Sequence, residues 1–248
     1  MLFSIITVCY NSEKTIEKTI KSVLNQTEKD YEYIIIDGGS KDRTLDIVKT
    51  YENAFDGKLK YISEKDNGIY DAMNKGIAMA EGEIIGLVNS DDYYEPDALE
   101  NVKKEYERLD EKDRKHLVMY GFMRTVNGGK EIAIEFYHHD NMNNQIILHP
   151  TCFVSKRVYE DFGVFDTKYR SAADLDLMMR LYHKTDTIFV PIYKVISNFE
   201  KGGMSGSPIG QKEVAKIKYE YGLIPKSRVH YENIHACIVG IYRKYFKK

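Results

Sequence analysis

Cysteine is scarce in this chain: Cys9, Cys152 and Cys237 are the only three in 248 residues. An odd number without metal-ligand spacing argues against a disulfide framework and suits a reducing compartment. Long apolar runs are also missing. None reaches the roughly 18 to 20 residues needed to cross a bilayer. Residues 1–11 run directly into an apolar strand with no basic stretch ahead of it, so no signal peptide is expected. Neither sign of charge dominates: the net charge is −2 and the pI about 6.4, which argues against a nucleic-acid partner. There is no internal repeat and no low-complexity segment. A soluble protein of the cytoplasm is the expectation.

Two phosphate-binding signatures are absent as well. No G-x-G-x-x-G follows the first apolar run, where a dinucleotide-binding oxidoreductase would need it, and no Walker A sequence occurs. The apolar content, 43%, is that of a chain with a proper core. The length suits one large α/β domain, or one domain with an appendage.

The chain is organised around Ile84-Ile85-Gly86-Leu87-Val88-Asn89-Ser90-Asp91-Asp92. An Ile/Leu/Val run reads as a strand buried on both faces, and it stops at two adjacent carboxylates. Such a pair is costly unless a cation or a donor-rich ligand offsets it. A strand-to-helix turn is the bland alternative, because Asp caps helices and Glu95-Pro96 follows.

Upstream, Phe3–Cys9 reads as a first strand, and Ser12 caps a helix carrying Ile16, Ile20, Val23 and Leu24. Tyr33–Ile36 is a second strand, Leu45, Val48, Tyr51 and Phe55 mark a helix, and Tyr61-Ile62 is a short third strand. A helix with Ala72, Met73, Gly76, Ile77 and Ala80 on one face leads into the organising strand. This β-α-β-α-β-α-β order is that of a doubly wound parallel sheet. Polar clusters follow each strand: Tyr10-Asn11, Asp37, Glu64 to Gly68, and Asn89 to Asp92. In a parallel sheet all four ends share one edge, where open α/β sheets bind ligands.

Downstream the texture changes. Ala98, Leu99, Val102, Tyr106 and Leu109 suit a helix. Leu117–Val126 and Lys130–Tyr137 read as a hairpin around Asn127-Gly128-Gly129. Ile146–Val154 is expected to be extended around His149-Pro150, with a helix from Lys156 to Phe162. Asp174 opens a helix whose apolar face holds Leu175, Met178, Met179 and Tyr182; Asp176 falls off that face and is expected to be solvated or to support the site from behind. Thr187–Val195 is extended. Lys201 to Pro208 reads as a boundary loop, a linker or a lid over the donor. Lys226–Lys248 combines Ile234, Ile238, Val239, Ile241 and Tyr242 with Arg228, Arg243, Lys244, Lys247 and Lys248. Such a helix either docks on the domain or lies on an anionic membrane surface.

Six segments in register resemble family 2 glycosyltransferases. They are Ser4 to Asn11, Ile36 to Thr44, Ser63 to Gly76, Asn89-Ser90-Asp91-Asp92, Gly163-Val164-Phe165-Asp166, and Ala173 to Leu181. The likeness runs from Phe3 to about Ser207. It implies a GT-A fold: a Rossmann-like, mostly parallel sheet flanked by helices, with a mixed C-terminal half and a C-terminal helix. Residues 1–207 would be the glycosyltransferase domain, with 1–95 the nucleotide-binding half, 96–207 the acceptor and catalytic half, and 208–248 a helical tail. The resemblance further implies a nucleotide-sugar donor, a UDP-sugar by the family's habit, a divalent metal (Mn2+ or Mg2+) and inversion at the anomeric carbon. The acceptor would be a saccharide or lipid-linked saccharide, at the inner membrane face if the C-terminal helix contacts lipid.

Carried onto this sequence, Asp91 binds the metal, with Asn89 in place of the first Asp of the usual Asp-x-Asp and Ser90 between them. Asn brings no charge there. Asp37 is the base contact, Gly38 standing where many relatives have a second Asp. Thr7, Val8, Tyr10, Asn11, Lys65, Asp66, Gly68 and Asn74 line the donor. Asp174 is the catalytic base. His149, Asp92 and Ser205 are candidate contacts to acceptor or phosphate, with a structural histidine an equal alternative at His149. A sugar-1-phosphate nucleotidyltransferase and a non-catalytic nucleotide-sugar or carbohydrate-binding protein are the competing readings. The first would want a glycine- and basic-rich loop in place of Tyr10-Asn11-Ser12.

Overall fold

A computed structural model describes residues 1–201 and 208–246, with side chains of the last helix as far as Val239. The strands are β1 (Phe3–Cys9), β2 (Tyr31–Asp37), β3 (Leu59–Ser63), β4 (Ile84–Leu87), β5 (Tyr93–Tyr94), β6 (Leu117–Asn127), β7 (Lys130–Glu135), β8 (Phe153–Ser155) and β9 (Ile188–Glu200). They form one sheet in the order β3-β2-β1-β4-β8-β6-β9-β5, with β7 paired to β6. β1 to β4 are mutually parallel, as the alternation of strand and helix predicts. β8 then enters antiparallel to both β4 and β6, and β6 and β9 run parallel. The second half is thus mixed.

Helices α1 (Ile16–Leu24), α2 (Thr44–Thr50) and α4 (Ala98–Arg108) cover one face, while α3 (Ile69–Met79), α6 (Lys156–Phe162) and α7 (Ala173–Lys184) cover the other. A short α5 (Glu111–Arg114) carries the charged stretch after α4, and α8 (Pro208–Glu220) and α9 (Lys226–Phe246) end the described chain. The alternation along β1 decides the layering: Ile6 and Val8 join the α3 side, while Phe3, Ile5 and Cys9 join the α1 side. Every residue of β1 and β2 is buried. A fully buried Ile is worth about 1.5–3 kcal/mol, against ~0.2–1 for a half-exposed ion pair such as Lys21–Glu17. The apolar sheet interior therefore dominates stability. At Gly76 a Cβ would stand 2.5 Å from Ile6 Cγ2, so the glycine is what lets α3 lie close on β1.

Three local expectations are corrected, and one short strand is added. Ser12 is not a side-chain cap: its carbonyl accepts the first-turn N–H groups of Thr15 and Ile16, while its hydroxyl faces Ser90 Oγ at 2.8 Å. The segment around His149 is not extended. His149–Thr151 makes a 3-10 turn, because Pro150 presets a helical φ and the Leu148 carbonyl accepts both the amide and the hydroxyl of Thr151. Asp176 is buried rather than solvated. It sits 3.9 Å from the Arg180 guanidinium, which donates to the carbonyls of Phe162 and Val164, and burial raises its pKa. The two-residue β5, too short for any periodicity to reveal, pairs Tyr93 and Tyr94 with Asn198 and Ser197.

That pairing is anchored by Asp92. The side chain is 1% exposed and accepts from the Glu200 amide at 3.1 Å and from Asn89 Nδ2 at 3.2 Å, while its carbonyl accepts from Thr19 Oγ1 at 2.6 Å. Burial, and then the neighbouring Asp91 charge, push its pKa up to about 7. The unfolded carboxyl titrates near 4, so between about pH 4 and 7 the native state holds a proton that the unfolded state has lost. Stability contributed by the protonated group is complete below that window and is lost as pH rises through 7. Thermal melts of metal-free protein should therefore show stability falling from pH 5 to 7.5, and Asp92→Asn should flatten the decline by on the order of a few kcal/mol. Parallel curves for wild type and variant would overturn the assignment.

Candidate functional site

The carboxyl ends of β1, β2, β3 and β4 lie on one edge because the four strands are parallel. Their loops are knitted together. Asn11, at φ +50°, takes Ser40 Oγ with its amide at 2.8 Å and offers Oδ1 to the Lys41 amide at 2.8 Å. The Ser12 amide donates to Thr44 Oγ1 at 2.7 Å, and the Ser12–Ser90 contact carries the network on to the β4 loop. Tyr10, 61% exposed, stands free on this rim.

Several residues expected to line the donor instead hold the site's frame. Thr7 is fully buried and its hydroxyl accepts from Tyr33 Oη at 2.9 Å; Val8 is a core side chain. Neither side chain reaches the cleft, because the strand interior lies between helical layers. Asp37 is fully buried at the end of β2, and its carboxylate accepts from Ser63 Oγ at 2.6 Å and from the amide and hydroxyl of Ser40. A nucleobase would have to replace one of these donors. Asn74 is spent on structure: Nδ2 donates to the Phe165 carbonyl at 2.9 Å and Oδ1 accepts the Phe165 amide at 3.1 Å. Asp92 is sealed beneath Asp91 and is unavailable to acceptor or phosphate. Ser205 lies outside the described residues.

The remaining residues do face the edge. Lys65 is exposed, and Gly68 opens α3. Asp66 accepts the Gly68 amide at 3.0 Å, and its carboxylate lies over Gly38, where a Cβ would come within 2.4 Å of Oδ2. The missing side chain at Gly38 is thus the room that Asp66 fills. A second carboxylate is supplied from β3's loop instead of from position 38.

Asp91 is half-buried, and burial raises its pKa, with Glu200 adding to the shift. Among the described residues no cation or side-chain donor faces its carboxylate. Asn89 contributes an amide to Asp92 rather than another negative charge. A desolvated, unpaired carboxylate backed by Asp92 and Glu200 fits a divalent cation, which hard oxygen ligands suit.

Asp174 lies in the first turn of α7, where the helix dipole favours a carboxylate. Tyr70 Oη donates to its Oδ1 at 3.0 Å. Burial, then the Asp174 charge, raises the Tyr70 phenol far above its ordinary value, so it remains a donor. Tyr70 was legible only as one residue of the Ser63–Gly76 segment; its place on an apolar helix face hid its polar end. The loop ahead of Asp174 is held from α8, where Glu213 accepts the Arg170 and Ser171 amides at 2.9 and 2.8 Å. The sequence gives no sign of this contact. His149 is half-buried beside Phe165, with Nδ1 buried and unpartnered; burial lowers its pKa, and the Asp174 charge opposes that shift. The His149–Thr151 turn packs near β4, β6 and β9.

Comparison with known proteins accords with this arrangement. A mycobacterial PGL/p-HBAD biosynthesis glycosyltransferase (Mycobacterium bovis) is 29% identical over 224 residues, covering 87% of this chain and 83% of its own. Chondroitin synthase of Pasteurella multocida is 31% identical over 186 residues, covering 73% of this chain but only 19% of that longer protein. Among solved structures, S. aureus TarS 1-349 in complex with UDP-GlcNAc superposes with TM-score 0.72 at 22% identity, over 99% of this chain and 73% of that one. The mannosyltransferase PcManGT from Pyrobaculum calidifontis, in complex with GDP-Man and Mn2+, gives TM-score 0.65 at 16% identity, over 99% and 76%. The fold is therefore the GT-A fold that the sequence led us to expect. The profile described as Glycosyl transferase family 2 matches residues 4–162, well over half of the chain, and the protein belongs to that family.

Proposed function

We propose that the protein transfers a glycosyl unit from a nucleoside diphosphate sugar, a UDP-sugar in preference, to the hydroxyl of a saccharide or lipid-linked saccharide, with inversion at the anomeric carbon. The observation that carries this reading is the Tyr70–Asp174 hydrogen bond. It fastens a carboxylate from the second half of the chain to the helix that follows the donor-side loop of β3. Asp174 takes the proton of the acceptor hydroxyl as that oxygen attacks the anomeric carbon and the bond to the diphosphate breaks. Tyr70 holds the carboxylate in place. His149, neutral and with one ring nitrogen unpartnered, is available to hydrogen-bond the acceptor or a phosphate. Asp91 holds a divalent cation, which when bound supplies positive charge to the leaving diphosphate. Tyr10, Asn11, Lys65, Asp66 and Gly68 line the donor. TarS in complex with UDP-GlcNAc and PcManGT in complex with GDP-Man and Mn2+ support the donor class and the metal. The loop after β1, Tyr10-Asn11-Ser12, is not the glycine- and basic-rich phosphate cradle that a nucleotidyltransferase would need there.

The C-terminal helix α9 supports contact with the membrane surface on which a lipid-linked acceptor would sit. Among the described residues no helix is long and apolar enough to cross a membrane. Tyr231, Ile234 and Ile238, spaced three and four apart, are 56%, 50% and 60% exposed and form one uncovered stripe. Arg228, 57% exposed near the start of α9, adds attraction to anionic lipid, and the sequence supplies further basic residues beyond Val239.

Four outcomes test these statements. Asp174→Asn should lower kcat by ~10² or more while leaving UDP affinity nearly unchanged, whereas Asp91→Ala should abolish manganese-dependent UDP binding in calorimetry. Nucleotide binding indifferent to metal and to Asp91 would sink the donor site as drawn. Tyr70→Phe should lower kcat about tenfold with little change in the nucleotide Kd, since it removes a hydrogen bond to the base and not to the donor. Ile234→Asp with Ile238→Asp should release the protein from phosphatidylserine vesicles in a sedimentation assay; equal binding by both proteins would refute the membrane contact.

A further inference from the structure

Asp174, the base of the proposed reaction, is the second residue of α7, and that helix starts without a cap of its own. Ala172 occupies the cap position, where no side chain accepts a hydrogen bond from the first turn. The Ala172 carbonyl accepts the Asp176 amide at 3.1 Å and so opens the helical ladder. A helix start of this kind leaves backbone amides that its own turns cannot satisfy, and it frays unless something outside the helix holds it. Where this start comes to rest decides where the Asp174 carboxylate lies.

The holder is a carboxylate from α8. Glu213 Oε1 accepts the Arg170 amide at 2.9 Å and Oε2 accepts the Ser171 amide at 2.8 Å, so each oxygen takes one of two consecutive N–H groups. Hydrogen bonds to an ionised acceptor are about twice as strong as neutral ones, and a fork of two fixes direction as well as distance. Residues 213, 216 and 220 share one face of α8. From that face Glu220 Oε2 accepts Tyr169 Oη at 3.1 Å, and the Lys216 ammonium lies 5.8 Å from the centre of the same ring. Residues 169 to 171 are thus held from a single helix. α8 is itself fixed: Ala215 and Ile217 are buried, and Ile217 belongs to the apolar cluster that contains Tyr169, Ala172, Ala173 and Leu177.

We propose that Glu213 is a positioning residue for glycosyl transfer. It fixes the start of α7, and through it holds the Asp174 carboxylate at the distance and angle at which it takes the proton of the acceptor hydroxyl. This role rests on the reading of Asp174 as the base. Tyr70 fixes one oxygen of that carboxylate from α3, and Asn74 fixes the far end of the same loop at Phe165. Glu213 supplies the remaining restraint, at the end of the loop next to the base. A misplacement of about 1 Å in a catalytic group costs on the order of 10²-fold in rate, so loss of the fork should be read in kcat and not in nucleotide affinity.

The test uses the full chain with Mn2+ and a panel of UDP-hexoses and UDP-N-acetylhexosamines, with turnover read as UDP release and UDP affinity by calorimetry. Glu213→Ala should lower kcat about tenfold or more while the UDP Kd moves by about twofold at most. On an Asp174→Asn background the same substitution should change the residual rate by less than about twofold, because no base is left to position. Should Glu213→Ala fail to bind UDP, Glu213→Gln serves in its place: it keeps the shape and one accepting oxygen, and should lower kcat about threefold or more, again only when Asp174 is present. Unchanged kcat in the Glu213 variants beside a crippled Asp174→Asn overturns this role alone, as does a loss that multiplies with that of Asp174→Asn. Full activity of Asp174→Asn, or no turnover of the whole panel by the wild type, would instead sink the proposed reaction and this role with it.

Discussion

Two carboxylates stand one behind the other at the end of β4, and much of the site is built to tolerate them. Asp92 is sealed from water, so its negative charge is disfavoured, and Asp91 in front of it is only half solvated. The surrounding loops answer with neutral donors to the Asp92 carboxylate, the Asn89 amide and the Glu200 backbone, while Thr19 secures the Asp92 carbonyl. An aspartate at position 89 would have added a third charge to this cluster. Asn89 relieves that repulsion and leaves Asp91 as the one carboxylate facing outward. The charge at Asp91 and the architecture of the loops around it are thus one electrostatic problem.

The second constraint is the coupling of α3 to α7. Three turns of one helix supply Tyr70, which reaches Asp174, and Asn74, which grips the Phe165 backbone. Gly76 lets the same helix lie close on β1. A displacement of α3 would therefore reach the β3 loop and Asp174 together. From the far side, Glu213 of α8 holds the two amides ahead of Asp174. Helix α8 is thus tied to the loop that leads into α7.

The Gly38–Asp66 pair illustrates how position and chemistry can separate. Where the family resemblance leads one to expect a second carboxylate, this chain has a hydrogen atom and the carboxylate of Asp66, from another loop, lies over that space. Likewise Asp37 spends its oxygens on Ser40 and Ser63, which makes it a bracket for the β2 and β3 ends. A residue can keep its place in a motif and still do structural work.

What the sequence alone determined was the layered frame and the location of the cleft. Buried runs such as Tyr31–Asp37 and the helical spacing of Ile16, Ile20 and Val23 are local signals, and parallel strands bring their polar ends to one edge by geometry. Residues at that edge, such as Tyr10, Asp66 and Asp91, were legible for that reason, whereas Asp174, in the first turn of α7, was singled out by the family resemblance. Tertiary structure alone decided which of the motif residues face the cleft and which brace it. Thr7, Asp37, Asn74 and Asp92 carry polar atoms that burial obliges to find partners, and those partners (Tyr33, Ser63, Phe165 and Glu200) lie 26 to 108 residues away. No local periodicity encodes such pairings; they exist only once the sheet order has brought the strands together.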